Sequence, residues 1–413
     1  MRTVVHFPVI ALLVLLGLGP VWVTAQDSNP VPDLRALPFA EWLEEGETEQ
    51  INWDIDINES QLRMDQRIDL TFVGSVRARD LEPRDINHRL ALWSWVLNSE
   101  GGIETYSGPV QYFMGQDVPR NAEVQFFMRL FVTPGDYTLS LLLYDEATGQ
   151  HNLTRERVRV DAIDDDPFPD SFRDLPVVEF PASRRSGGRE FTEVSGDLFM
   201  PINSVRPLEI QLISALSAPE NRPGERSRVR HTNNMSRVLI ALTQLDPTEG
   251  SIAVSGLDLV RREVVFEQKH VKKLDTVGLA RAFADSNPPA IGIDALTGRH
   301  LNSTFVKEYV EDQVEGRIID GGTELSRVGT PLKVLIFVTG FTLFDDDSNV
   351  TGVDLEGRCD CRVYHIRVRQ NLRDVFDDVD NILEPLYPKT FNVLTPEDLR
   401  DAMGEIVEDL ERF

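Results

Sequence analysis

Cysteine is scarce. The 413 residues hold two, Cys359 and Cys361, with Asp360 between them. A redox or metal role is one reading of the pair, but a zinc site needs two further ligands, and His365 is the only other His or Cys nearby. A bridge between positions i and i+2 is strained, although both side chains of such a pair share one face of a strand. The spacing therefore reads as a structural pair at a strand entrance. Basic residues are also outnumbered, with Lys+Arg at 42 against Asp+Glu at 68 and a net charge of −26. That balance argues against non-specific nucleic-acid binding and against docking on anionic membranes. Beyond the first 25 residues no apolar run is long enough to cross a bilayer. No HExxH, GxSxG, P-loop or GxGxxG pattern occurs, and the seven histidines are scattered. Nothing nominates a nucleophile, a general base or a cofactor.

What is present is a globular composition, 41% hydrophobic and 27% charged. It excludes disorder, collagen and coiled coil as descriptions of the whole chain. The length suits two or three domains. Residues 1–25 read as a signal peptide. Arg2 gives a basic start, Val9 to Leu18 an apolar run, and Val23-Thr24-Ala25 a small-x-small cleavage site before Gln26. No lipobox cysteine stands near the cut. Export to the periplasm, cell surface or medium is the expectation.

Residues 26–50 read as an N-terminal arm, with a short helix around Trp42. Residues 51–160 read as short strands with turns between them, the pattern of a β-sandwich. Within them Pro134-Gly135 makes a turn, and residues 137, 139, 141 and 143 share one apolar face. The Pro-Gly-x-Tyr-x-Leu run resembles the late hairpin of immunoglobulin-like and fibronectin-like modules. Residues 161–180 carry Asp164-Asp165-Asp166-Pro167 and read as a solvated acidic linker, the expected place of first proteolytic cuts. From 181 to 413 strands and helices alternate, which predicts a doubly wound α/β sheet. Strands are expected at Leu208–Ile213, Ser251–Val254, Glu263–Glu267 and Arg362–Val368. Lys333–Thr339, a continuous apolar run, has the pattern of a sheet centre covered on both faces. Helices are expected at Asn234–Leu245, Leu274–Ala284 and Asp294–Val314. A last helix is expected behind Thr395-Pro396-Glu397-Asp398, with Thr395 as N-cap and Pro396 at N1.

This order of elements resembles the von Willebrand factor A-like fold, a Rossmann-like arrangement. More specifically, residues 181–413 are similar to the exported VWFA-related proteins of acidobacterial type. The similarity is carried by Ile252 through Val265, by Ile293-Asp294-Ala295-Leu296, and by Pro388-Lys389-Thr390-Phe391-Asn392-Val393 leading into Thr395–Arg400. Metal-binding members of the family end their first strand with Asp-x-Ser-x-Ser, and the resemblance would place a metal-ion-dependent adhesion site there. Here that strand ends Leu212-Ile213-Ser214-Ala215-Leu216-Ser217, without the Asp. The family's Thr falls near Ala290, and its Asp after the central strand falls at Thr339-Gly340. The Asp320-Gly321-Gly322-Thr323 run reads as a turn.

The expectation is therefore a non-enzymatic exported binding protein, with an immunoglobulin-like sandwich, a degenerate metal site and no cofactor. Its partner would be another protein or a cell-envelope component. Ligands of open α/β sheets meet the loops at the carboxyl ends of the strands. Ser214, Ser217, Thr339, Gly340, Asp345, Asp346 and Asp347 are accordingly the candidate contacts. The alternative is a cation-dependent adhesion module or an enzyme that uses the acidic loop. Asp345, Asp347, Asn349 and Glu356 fall at positions 1, 3, 5 and 12 of an EF-hand-like calcium loop. Val350 stands where that loop needs glycine.

Overall fold

The structure, a computed structural model, describes residues 37–84, 86–97, 103–116, 118–180, 182–186, 189–217, 225–286, 301–315, 317–319, 330–340, 342, 344, 350–354, 358–369 and 377–413. Residues 1–25, residues 26–36 of the arm, Ala290, the Ile293–Leu296 and Asp320–Thr323 segments, Asp345 to Asn349 and Glu356 lie outside them. Two antiparallel sheets, sandwich-like, are followed by a mostly parallel sheet with helices. No helix among the described residues is long and apolar enough to cross a membrane.

The chain divides into two compact units. One comprises Met1–Asn58, Phe72–Met128 and Tyr137–Val158; the other comprises Glu59–Thr71, Arg129–Asp136 and Arg159–Phe413. The division does not follow chain order, so the second unit takes in two stretches of the region read as a separate sandwich domain.

In the first unit the strands follow the alternation in the sequence. His88–Leu97 pairs on one side with Ile103–Met114 and on the other with Gly135–Asp145. Leu139, Leu141 and Leu143 share one face and are buried, and Ser140 and Leu142 on the other face are buried as well. The expected arm is part of this core. A helix at Phe39–Glu45 brings Phe39 to 4.8 Å from the Trp93 ring and stacks Trp42 at 4.1 Å on His151. Behind it Thr48 and Glu49 pair with Leu153 and Asn152 as a strand. Aromatic area of this kind outweighs the acidic composition around it.

The second unit holds a six-stranded sheet, here labelled β1 (Leu208–Ala215), β2 (Gly250–Asp258), β3 (Glu263–Gln268), β4 (Leu332–Thr339), β5 (Cys361–Val368) and β6 (Lys389–Val393). The spatial order is β3-β2-β1-β4-β5-β6, with β3 antiparallel to β2 and the other neighbours parallel. The helices are α1 (Glu225–Leu242), α2 (Thr276–Asp285), α3 (Asn302–Val314), α4 (Asp378–Leu383) and α5 (Pro396–Leu410). β4 lies inside the sheet and is buried on both faces, which is why its sequence runs apolar without alternation. Ile213, Ala215, Leu335, Phe337 and Val363 form one core with Val306, Val310 and Val314 of α3 and Val379 and Ile382 of α4. α1 packs on β1 and β4. Gly250 opens β2 at φ +134°, where an added methyl would sit 2.0 Å from the Leu208 carbonyl oxygen. α5 begins with a capping box, in which Thr395 accepts from the Asp398 amide and Asp398 accepts from the Thr395 amide. Leu245, expected at the end of a helix, lies in a short strand that pairs with Met200–Ile202.

The pair Cys359 and Cys361 is joined as a disulfide at the entrance of β5. The 161–180 stretch is more than a solvated linker. Phe168, Ser171 and Phe172 are buried, Val178 pairs with Val132, and Asp166 binds the Arg400 guanidinium of α5. A charged, proline-rich stretch folds down when one buried cation and two phenyl rings hold it. Limited proteolysis of the folded chain should thus spare residues 166–178. An early cut inside them, located by mass spectrometry, would return the segment to the status of a linker.

Candidate functional site

The carboxyl ends of β1 and β4 carry the described residues that the sequence nominates, and the end of β2 lies beside the first of them. Ser214, the last-but-one residue of β1, is fully buried, and its hydroxyl has no hydrogen-bond partner among the described residues. Three residues on, the Ser217 hydroxyl accepts from the Leu259 amide at 3.1 Å, which ties the loop after β1 to the loop after β2. Asp258 ends β2, and one of its oxygens accepts from the amides of Val260 at 2.9 Å and Arg261 at 3.0 Å. Burial pushes its carboxyl up, against the pull of those two amides, the Arg261 charge and Ser286.

Register decides which of these side chains can meet. Ser214 stands opposite Val338, not Thr339. Adjacent residues of a strand point to opposite faces. Thr339 therefore shares the face of Phe337, the one covered by α3 and α4, and Ser214 lies on the other. The structure brings Thr339 and Gly340 together by sequence, and it leaves Ser214 on the far side of the sheet. Asp345, Asp346 and Asp347 lie outside the described residues, as do Asn349 and Glu356.

Thr339 sits at the centre of a buried polar chain. Its hydroxyl lies 2.7 Å from Asp377 Oδ2 and 2.8 Å from His365 Nε2. His365, fully buried, places Nδ1 2.7 Å from Asp380 Oδ1, and Arg367 donates to Asp380 Oδ2 at 2.6 Å. The other Asp377 oxygen accepts from the Val379 amide at 3.0 Å, so this carboxylate is also the N-cap of α4. Burial raises the Asp377 carboxyl to about 6, although the charge of His365 and the hydrogen bonds from Thr339 and Val379 pull the other way. Burial pushes Asp380 up too. The His365 hydrogen bond and the charges of His365, Arg367 and Arg369 outweigh it and leave that carboxyl below its ordinary value.

The Thr339 hydroxyl donates to Asp377 Oδ2 and also lies within hydrogen-bond distance of His365 Nε2, and at 3% exposure it does not meet solvent. What the arrangement does is fix a loop. The Asp378 carboxylate accepts from the Phe344 amide at 2.6 Å, and the Asp378 amide donates to the Thr342 carbonyl at 3.0 Å. The segment that leaves β4 toward the acidic run is thus fastened to the start of α4.

His365 has a hydrogen-bond partner at each ring nitrogen. Sequence reasoning missed Asp377, Asp380 and Arg367. The available signal was Asp377-Asp378-x-Asp380 ahead of Ile382-Leu383, a cluster of acids at the head of a short helix. Among the described residues no group of three or more His, Cys, Asp or Glu is placed to hold a metal ion.

The fold is that of a sandwich-like β region joined to an α/β unit. No protein-family model matches the chain, and no curated protein matches it either. Among solved structures, a family 123 glycoside hydrolase from Clostridium perfringens is similar at 8% identity, over 86% of this chain and 88% of that one, with a TM-score of 0.25. The Bacteroides uniformis β-glucuronidase gives 10% identity over 70% of this chain and 36% of that one, at a TM-score of 0.19. The structural-genomics target SoR45 gives 14% identity over 27% of this chain and 88% of that one, at 0.18. TM-scores this low carry no argument about activity, and the chain spans about a third of the length of the glucuronidase.

Proposed function

We propose that this chain is an exported, non-enzymatic interaction protein. In this reading an immunoglobulin-like module accompanies a von Willebrand A-like α/β unit. The loops at the carboxyl edge of its sheet contact another protein or an envelope component without a divalent ion. One observation supports it above the rest. Three of the described oxygen-bearing side chains at that edge are already engaged, and the Ser214 hydroxyl, which has no partner among the described residues, is fully buried. Thr339 is held between Asp377 and His365, Ser217 accepts from a backbone amide, and Asp258 caps its own turn. Arg367 supplies a positive charge beside Asp380. A cation recruiting these oxygens would have to break hydrogen bonds in a buried site, where each unsatisfied group costs roughly 1–3 kcal/mol.

Calorimetric titration of the mature chain with Mg²⁺ and Ca²⁺ tests the reading. The expected result is no saturable heat, with the same melting temperature in EDTA as in buffer. A melting temperature that drops in EDTA and returns with Ca²⁺ would overturn it, since a bound ion stabilises the folded state by mass action. The loop of Asp345, Asp347, Asn349 and Glu356 would then become the site. Replacing Asp345, Asp346 and Asp347 together by Asn should weaken capture of the partner from envelope extract and leave melting unchanged.

A further inference from the structure

Six lysines stand in the 413 residues: Lys269, Lys272, Lys273, Lys307, Lys333 and Lys389. Half of them fall within five consecutive positions, in a chain of net charge −26. The loop that carries them follows β3. Because β3 runs antiparallel to β2, this loop lies at the amino end of β2, at the opposite end of the sheet from Ser217 and Thr339. It is held in shape. The Val271 amide donates to the Ile252 carbonyl at 2.8 Å, Gln268 donates to the Lys273 carbonyl at 2.8 Å, and the Asp275 amide donates to Gln268 at 2.9 Å. His270 turns the chain at φ +52°, a left-handed conformation that His adopts more readily than most residues. Lys269, His270, Lys272 and Lys273 are all exposed. Lys269 pairs with Glu267 at 3.3 Å, whereas Lys272 and Lys273 have no ion pair among the described residues.

The loop rims a groove of about 1110 Å³ within the second unit. Ile240, Leu245, Ile252 and Leu274 line it, together with His270, Lys272 and Lys273. Further lining comes from four acids, Asp174, Glu179, Asp197 and Asp246, with Arg67 beside Glu179 at 3.5 Å, so the cationic rim is confined to Lys272 and Lys273. The groove is thus apolar in part, with unpaired cations on one rim and acids elsewhere.

We propose that this groove holds a short acidic segment of a partner protein. Its carboxylates would meet Lys272 and Lys273, and its apolar side chains would lie along Ile240, Ile252 and Leu274. Charge complementarity selects that occupant. The protein's overall negative charge and the acids of the groove repel a long polyanion such as a sulfated glycan or a nucleic acid. A segment with carboxylates on one side escapes that repulsion, and apolar lining favours a peptide with alternating apolar residues. The inference does not rest on the reading of the carboxyl edge.

The test is fluorescence anisotropy of the full mature chain with a labelled peptide of alternating glutamate and leucine. The controls are the same peptide with glutamine for glutamate, and a labelled heparin-derived oligosaccharide. Binding of the glutamate peptide is expected, weakening with added salt as exposed charges are screened. The triple variant Lys269→Ser, Lys272→Ser, Lys273→Ser should lose affinity by about tenfold. The Lys272→Arg, Lys273→Arg variant should retain it. The Asp345, Asp346, Asp347 to Asn variant should bind as the parent does, which separates this surface from the carboxyl edge. No binding of the glutamate peptide, equal binding of the glutamine peptide, or binding of the oligosaccharide alone would overturn the proposal. So would a triple variant that folds, by circular dichroism, and binds unchanged.

Discussion

Replacing Arg400 by Ala should destabilise the second unit by roughly 3–5 kcal/mol, the range for a buried ion pair that loses one partner. The guanidinium is 1% exposed. Its Nε and Nη2 donate to the two oxygens of Asp166 at 2.6 and 2.9 Å. Nη2 also reaches Ser171 Oγ at 2.6 Å and the Phe168 carbonyl at 3.2 Å, and Nη1 reaches Gln66 Oε1 at 3.3 Å. The rings of Phe168 and Phe172 lie 5.6 and 5.3 Å from its centre. Truncation leaves Asp166 with a largely desolvated charge and no counter-ion, and it opens a cavity between two aromatic rings. Lysine carries the charge without the planar fork, so Arg400→Lys should recover only part of the loss. Urea unfolding followed by circular dichroism measures this, since the five tryptophans all fall in the first unit. A loss below about 0.5 kcal/mol, the value for an exposed ion pair, would refute the assignment of Arg400 as the centre of that core.

The second large effect concerns pH. Asp377 has a folded-state carboxyl raised to about 6, above its unfolded value. The folded protein therefore binds this proton more tightly than the unfolded one. Stability from this group is fully present below the unfolded value and falls as pH rises through the folded one. Between pH of about 4 and 6 it should decline by an amount on the order of 3 kcal/mol. Asp380 acts in the opposite sense. Its carboxyl is lowered on folding, so its contribution is present above the unfolded value and is lost in acid. Asp377→Asn cannot titrate and should flatten the slope between pH 4 and 6 while leaving the acid limb. Chemical denaturation across that range, parent against variant, reads the difference directly. Parallel curves would remove Asp377 from the account.

The parts of this fold that were legible in the sequence are those fixed by near neighbours. Val334–Val338 is apolar throughout because both faces are covered, and Thr395-Pro396-x-Asp398 announces a helix start by chemistry contained within four residues. The carboxyl-edge loops could be listed, since strand ends are visible. Whether Ser214 and Thr339 share a face depends on the register between β1 and β4, which no local pattern carries. Arg400 stands among the buried positions of an amphipathic helix as an apparent exception. Its partners are 234 and 334 positions away in the chain, so the reason for it is invisible locally. The same distance hid the order in 161–180, where acidic and proline-rich composition pointed to solvent while Asp166 had a buried counter-ion. β6, with its mixed burial, offered a motif and no clean alternation.

The contacts that join Gln66 to Pro396 and to Arg400 have a consequence for the timing of synthesis. A ribosome makes Gln66 early and α5 last. Nearly the whole polypeptide must be finished before that part of the second unit can close, and pairings so distant in sequence are slow to form. Until then Gln66 and Asp166 wait without their partner. A chain that ends before Pro396 would carry every strand of the parallel sheet and still lack the piece that fastens its beginning to its end.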